Sequence, residues 1–177
     1  EMGASVFVIP SLDEVAWLLN LRGNDVLFTA VFLSYLLLEQ DKATLCVQRE
    51  AVSAEIEAHL KSDGVTLAPY DDIYRLVAAL PTGTRVLLDG ERANYRILQS
   101  VPESAEVLNR TSPIQLMKAM KTPAEQENER LAHIKDGVAV TRFIYWLKHT
   151  IGKEPITELS ASKKLESLRA EGEHYLE

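Results

Sequence analysis

The side chains best suited to hold a metal or move a proton near neutral pH are four histidines, His59, His133, His149 and His174. None falls in an HxH or HxxxH spacing or at a ligand interval from a carboxylate, so each reads as a surface or capping residue. The pair Asp71-Asp72 invites a metal reading, but it immediately precedes a helical pattern, where carboxylates cap amides and suit the helix dipole. Gly83 and Gly90 do not build a phosphate loop, and neither GxGxxG nor GxxxxGKS/T occurs, so a dinucleotide or nucleotide cofactor has no motif behind it. Ser34, Ser53 and Ser100 lack the strand-turn-helix context of a nucleophile elbow. The residues therefore supply no catalytic, cofactor-binding or metal-binding set.

Three further residues carry weaker signals. Arg22 follows an apolar helix at its C-terminal end, where a guanidinium can satisfy orphan carbonyls; the alternative is a carboxylate in another domain. Trp17 and Trp146 stand at spacings expected of core positions. The single Cys46 lies in an apolar run and reads as a small buried side chain, which excludes a disulfide framework and points to a reducing, cytoplasmic setting.

The elements that would position these residues alternate over the first 111 positions. Ser5–Ile9 is a short apolar, β-branched run and reads as a buried strand. Ser11-Leu12-Asp13-Glu14 has the grammar of a capping box opening the helix LDEVAWLLN. Val31–Glu39 and Ala43–Gln48 form an antiparallel hairpin across Gln40-Asp41-Lys42. A helix over Ser53–Lys61, a strand over Val65–Pro69 and a helix over Asp71–Leu80 follow. Arg85–Asp89 is a strand, Arg92–Val101 a helix and Glu106–Asn109 a last strand. The pattern predicts an α/β fold: a mixed β-sheet with flanking helices, followed by a helical C-terminal segment.

From Ser112 onward everything reads helical. Ser112-Pro113-Ile114-Gln115 and Thr122-Pro123-Ala124-Glu125 each offer a cap, a proline at the first helical position and a box partner. Thr157 is the expected cap of a later helix over Thr157–Ala170. The helix from Thr122 changes character along its length. Its start is amphipathic, whereas in VAVTRFIYWL (Val138–Leu147) only Thr141 and Arg142 are neither apolar nor aromatic. A helix apolar nearly all round needs cover on several sides. Little chain follows to cover Phe143–Leu147, so the preceding domain, a second copy in a homodimer, or further protein must do so.

Bulk properties narrow the class without naming a function. A hydrophobic content of 46% and a charged content of 25% are those of a soluble globular protein. The net charge of −7 lies wholly in residues 1–112, with nine Lys/Arg against sixteen Asp/Glu; the remainder balances ten against ten. No basic patch argues for nucleic acid. No apolar run reaches the length of a membrane span. The chain begins with Glu1 rather than Met, and Glu1-Met2-Gly3 reads as a helix end with its glycine, so a piece of a longer protein is expected.

Two long stretches carry a resemblance. SLDEVAWLLNLRGND (Ser11–Asp25) with VFLSYLLLE (Val31–Glu39) resembles the middle, creatinase N-terminal-like domain of the three-domain Xaa-Pro aminopeptidases. SPIQLMKAMKTPAEQENERLAHIKDGVAVTRFIYWL, from Ser112, resembles that family's entry into its catalytic pita-bread metallopeptidase domain, and Thr157-Glu158-Leu159 with Lys164-Leu165-Glu166 continues the match. There are departures: Thr29-Ala30 stands where the family has Asn-Pro, which removes a rigid turn. Ser112 replaces an Asn, one good cap for another.

The resemblance implies two segments: residues 1–111 as the middle domain, and residues 112–177 as the first helices of a truncated catalytic domain. It implies a parent metalloaminopeptidase, a hydrolase that removes the N-terminal residue from peptides with proline second. Two divalent ions, commonly manganese, would activate the water. The ligands of that family lie downstream of this chain's last residue, so none is carried onto it. This chain is therefore expected to hold no cofactor and to be inactive alone. Expected partners are the proline-containing peptide for the parent, with no nucleic acid and no membrane. The alternative is a non-catalytic, protein-binding module of the same fold. Nucleotide binding rests on fold analogy only.

Overall fold

The computed structural model describes residues 2–175, and these fall into two compact units that divide between Ala119 and Met120. The first unit is built on a six-stranded mixed sheet. Its strands are β1 (Val6–Ile9), β2 (Ser34–Glu39), β3 (Ala43–Val47), β4 (Val65–Pro69), β5 (Arg85–Leu88) and β6 (Glu106–Asn109), in the order β4-β3-β2-β1-β5-β6. Strand β2 runs antiparallel to both β1 and β3, whereas β1, β5 and β6 are mutually parallel, as are β3 and β4. The expected hairpin is present, with Leu36 opposite Leu45, and Leu36 also faces Ile9 across β1.

Alternation along each strand divides the side chains between two faces. Val6, Val8, Tyr35, Leu37, Cys46, Val86 and Leu88 meet Ile73, Val77 and Ile97 on one side. The last three come from helices α3 (Asp72–Ala78) and α4 (Tyr95–Ser100). Ile9, Leu36, Leu45 and Val47 meet Val15, Ala16, Leu60 and Ile114 on the other. Those partners belong to α1 (Leu12–Leu18), α2 (Ala54–Ser62) and α5 (Pro113–Ala119). The result is a three-layer α/β/α arrangement with an apolar core on each face.

Local chemistry sets the helix ends, and it departs from expectation at several of them. Helix α4 begins at Tyr95, not Arg92, because Asn94 caps it: its Oδ1 accepts the Ile97 amide at 3.0 Å. The amides of Arg92 and Ala93 are spent instead on the Asp89 carbonyl. Asp71 occupies the cap position of α3, but its side chain makes no capping bond, and Asp72 pairs with Arg75 at 2.6 Å. A single 3-10 turn, Arg49–Ala51, was not expected after β3. Glu1 lies outside the described residues; Gly3 adopts φ +71° and its carbonyl accepts from Arg85 Nη1.

The second unit holds α6 (Pro123–Thr150) and α7 (Glu158–Ala170). Thr122 and Glu125 form the expected capping box: the Thr122 amide donates to Glu125 Oε2 at 2.7 Å and the Glu125 amide to Thr122 Oγ1 at 3.3 Å. Thr157 caps α7, boxed by Ser160. The two helices are tied by Arg142–Glu171 and Arg169–Asp136, each at 2.6 Å. Over its 28 residues α6 buries only Ala139; Ile144 and Tyr145 are exposed, and Phe143, Trp146 and Leu147 half-buried. The apolar far end is thus left largely uncovered.

Candidate functional site

The four histidines do not converge. His59 sits on α2 with its Nε2 3.7 Å from Asp63 Oδ2, both side chains exposed. The Nδ1 atoms of His133 and His149 lie 2.8 Å from the carbonyls of Glu129 and Tyr145 one helical turn back. A carbonyl only accepts, so Nδ1 carries the proton in each. His174 lies beyond α7 at φ +62°. Among the described residues no group of three or more His, Cys, Asp or Glu side chains could hold a metal ion. The described residues do not fit a di-metal centre.

The serines are likewise occupied. Buried Ser34 donates to the Phe32 carbonyl at 3.2 Å, Ser53 caps α2 by accepting the Ile56 amide, and Ser100 donates to the Arg96 carbonyl at 2.8 Å. Arg22 has the structural role: its Nη1 donates to the carbonyls of Ala16 at 2.9 Å and Leu21 at 2.8 Å, closing the end of α1. The next residue must be glycine for packing reasons, since a Cβ on Gly23 would lie 2.7 Å from Phe32 Cβ and 3.1 Å from the Val31 carbonyl. Trp17 is half-buried against the core that contains Val15 and Leu36. Trp146 is half-buried too, its ring 5.7 Å from that of Phe143.

Cys46 is fully buried, and burial pushes its thiol up to about 12, with the nearby Asp72 charge adding and Arg75 opposing. The thiolate is the reactive form. Native chain at pH 8 should therefore leave Cys46 unalkylated by a maleimide over hours, with full reaction once denaturant is added, as read by mass spectrometry. Beside it, Tyr35 stacks 5.0 Å from Tyr70 and receives a bond from Asn94 Nδ2 at 3.0 Å. Burial, then the neighbouring hydroxyls of Tyr70 and Tyr74, raise its phenol well above the usual range.

The polar cluster that the structure does assemble joins the two stretches that carried the resemblance. Glu14 on α1 is 2% exposed, Asp89 after β5 is 6% and Ser112 before α5 is 3%. Ser112 Oγ donates to Glu14 Oε2 at 2.7 Å, and the Ser112 amide donates to Asp89 Oδ2 at 3.0 Å. Gln115 Nε2 reaches the same Asp89 oxygen at 3.3 Å, and the Glu91 amide donates to Asp89 Oδ1 at 3.2 Å. A turn further along, the Lys118 ammonium meets Asp13 Oδ2. Burial acts to raise the Asp13 carboxyl, but its bond to Lys118, that ammonium's charge, its own backbone amide and Arg92 hold it below the ordinary range.

Both capping boxes expected here are replaced. Ser11 makes no side-chain capping bond, the Glu14 amide donating to its carbonyl at 3.1 Å, and the Glu14 carboxylate has turned to Ser112. At α5, Ser112 keeps its role as cap, its Oγ accepting the Ile114 amide at 3.3 Å, but the box is not closed: Gln115 has turned to Asp89, and Asp89 takes the Ser112 amide. Sequence reasoning saw Glu14 and Ser112 only as local caps and Asp89 only as a strand end. The signal available was a carboxylate inside the apolar stripe Leu12, Val15, Ala16. Because the Asp13 carboxyl is lowered on folding, its contribution is present above about pH 4 and lost as pH falls through its folded value. Lys118→Met should flatten that acid limb of the stability curve, measured by urea unfolding between pH 2 and pH 6.

A mixed sheet between two helical layers sets the fold class, and the chain belongs to the creatinase/prolidase N-terminal domain family, whose match covers residues 1–125. Two similar proteins are a probable Xaa-Pro aminopeptidase P of Ajellomyces capsulatus and its counterpart in Sclerotinia sclerotiorum. The first is 35% identical over 185 residues, covering 96% of this chain and 30% of that protein. The second is 34% identical over 182 residues, covering 98% and 30%. Among solved structures, X-prolyl aminopeptidase from Caenorhabditis elegans, described as a cytosolic enzyme with a di-nuclear active site, superposes with a TM-score of 0.84. It is 27% identical, covering 98% of this chain and 29% of that one. Prolidase from Pyrococcus furiosus shares the fold, with a TM-score of 0.57 at 17% identity over 95% of this chain and 45% of that one. The chain thus spans about 30% of the length of the curated relatives it matches.

Proposed function

We propose that this chain is the middle segment of a metal-dependent Xaa-Pro aminopeptidase, carrying also the first helices of its catalytic domain. The observation that supports this most is the 0.84 superposition over 98% of the chain, which runs through both units' worth of sequence. In this reading residues 1–111 form the middle domain and residues 112–177 open a pita-bread metallopeptidase domain. The parent removes the N-terminal residue from peptides with proline second. Two divalent ions, manganese in the simplest case, would supply a water nucleophile activated at neutral pH. Their ligands come from outside this chain, whose part is to support the catalytic domain and to limit access to short peptides. The parent is cytosolic in this reading; among the described residues no helix is long and apolar enough to cross a membrane.

The test is the gene. The reading frame beyond Glu177 should encode two Asp, one His and two Glu in the order Asp, Asp, His, Glu, Glu, and a parent without that set would instead be a protein-binding relative. The exposed Ile144 and Tyr145 on α6 favour self-association of the isolated chain through the Phe143–Leu147 stretch. Light scattering should show a concentration-dependent rise towards a homodimer. A monomer at every concentration, without binding of an apolar dye, would contradict it.

A further inference from the structure

We propose that Glu14, Asp89 and Ser112 form a latch on the exit of the chain from the first unit, with Glu14 and Asp89 as positioning residues for what is built beyond it. The kinetic part of this proposal rests on the functional reading above; the latch itself does not. Glu14 and Asp89 are the charged side chains buried among the described residues of this unit, where the other buried polar groups are the hydroxyls of Ser34, Thr44, Thr84 and Ser112. Such groups are retained only where donors are supplied to them. Three of those donors come from one short stretch: Ser112 Oγ, the Ser112 amide and Gln115 Nε2.

The stretch needs them. Helix α5 has seven residues, too few to hold together unaided. It buries one apolar side chain, Ile114, while Leu116 and Met117 stand exposed. Apolar contact alone would leave it free to roll or slide. Directional bonds fix a register that apolar packing does not. The local alternative was also at hand and is not used: both Glu14 and Gln115 stand three residues after a serine and could have closed capping boxes. Each instead reaches across the fold, Glu14 to a partner 98 residues away and Gln115 to one 26 residues away.

Hydrogen exchange on the 177-residue chain tests the latch. Glu14→Leu fills the space without an acceptor; Ser112→Ala removes the donor by a smaller change, together with the cap on the Ile114 amide, so its result counts only beside that of Glu14→Leu. Each should raise exchange of the α5 amides about tenfold while the amides of β1, β2 and β5 stay unchanged. Glu14→Gln, which keeps an acceptor oxygen for Ser112, should restore protection. In the full-length polypeptide the Glu14→Leu change should lower kcat for an Xaa-Pro peptide about fivefold with KM little changed, and Glu14→Gln should recover it. Unchanged α5 exchange would overturn the latch, and so would an equal rise across the sheet, which would mean that the carboxylates merely hold the fold together. Loosened α5 with unaltered kcat would overturn the positioning role. An unmodified full-length polypeptide that cleaves no Xaa-Pro peptide would defeat the functional reading instead, with the exchange result still deciding the latch.

Discussion

The 177-residue chain, purified and supplied with Mn²⁺, is expected to release no N-terminal residue from an Xaa-Pro peptide above a blank. The reason is the donor set. A metal ion lowers the pKa of its bound water only when several protein ligands fix it with a position left open, and a site of this kind contributes many powers of ten to amide hydrolysis. Among the described residues no three of the His, Cys, Asp and Glu side chains come close enough to serve. The two buried carboxylates, Glu14 and Asp89, are committed to Ser112 and Gln115. Mass spectrometry of the peptide after overnight incubation is the check. Release that persists through a second purification and stops on chelation would sink the expectation.

Leu36→Ala should have the largest effect on stability. Leu36 is fully buried at the centre of β2, facing Ile9 on one neighbouring strand and Leu45 on the other, with Val15 of α1 in the same core. Removing its side chain loses transfer free energy and leaves a cavity that flanking strands cannot close, at a cost of about 2–5 kcal/mol. That is a large part of the stability of an ordinary domain. Urea unfolding followed at Trp17, in a Trp146→Phe background so that only the first unit reports, would measure it. A loss below about 1 kcal/mol would mean that the site collapses or that Leu36 is not central.

The sheet was legible because its signals are local. Short apolar runs bounded by Gly, Pro and Asp gave all six strands, and the Gln40-Asp41-Lys42 turn gave the antiparallel pair. Helix starts were legible only where nothing distant competes for the cap. Thr122 and Glu125 stand at the surface and close their box as written. Ser11–Glu14 and Ser112–Gln115 carry the same grammar, yet Glu14 and Gln115 turn to partners brought together by folding, while Ser112 keeps its cap on the Ile114 amide. The start of α4 was misplaced for a related reason, since the Asp89 carbonyl claims the amides of Arg92 and Ala93 before Asn94 caps the helix.

The candidate site follows the same division. Arg22 was readable, because capping the end of its own helix depends only on neighbouring residues. The latch was not, because Glu14, Asp89 and Ser112 lie far apart in sequence and each has an adequate local explanation. The uncovered far end of α6 was legible as an excess of apolar residues.

One measurement bears most directly on the account. The full-length polypeptide that contains this segment should be incubated with two peptides that differ only in Pro or Ala at the second position, and the products weighed. The account predicts release of the first residue from the proline peptide alone, abolished by a chelator and recovered with Mn²⁺. No cleavage of the proline peptide, or equal cleavage of both, would contradict it.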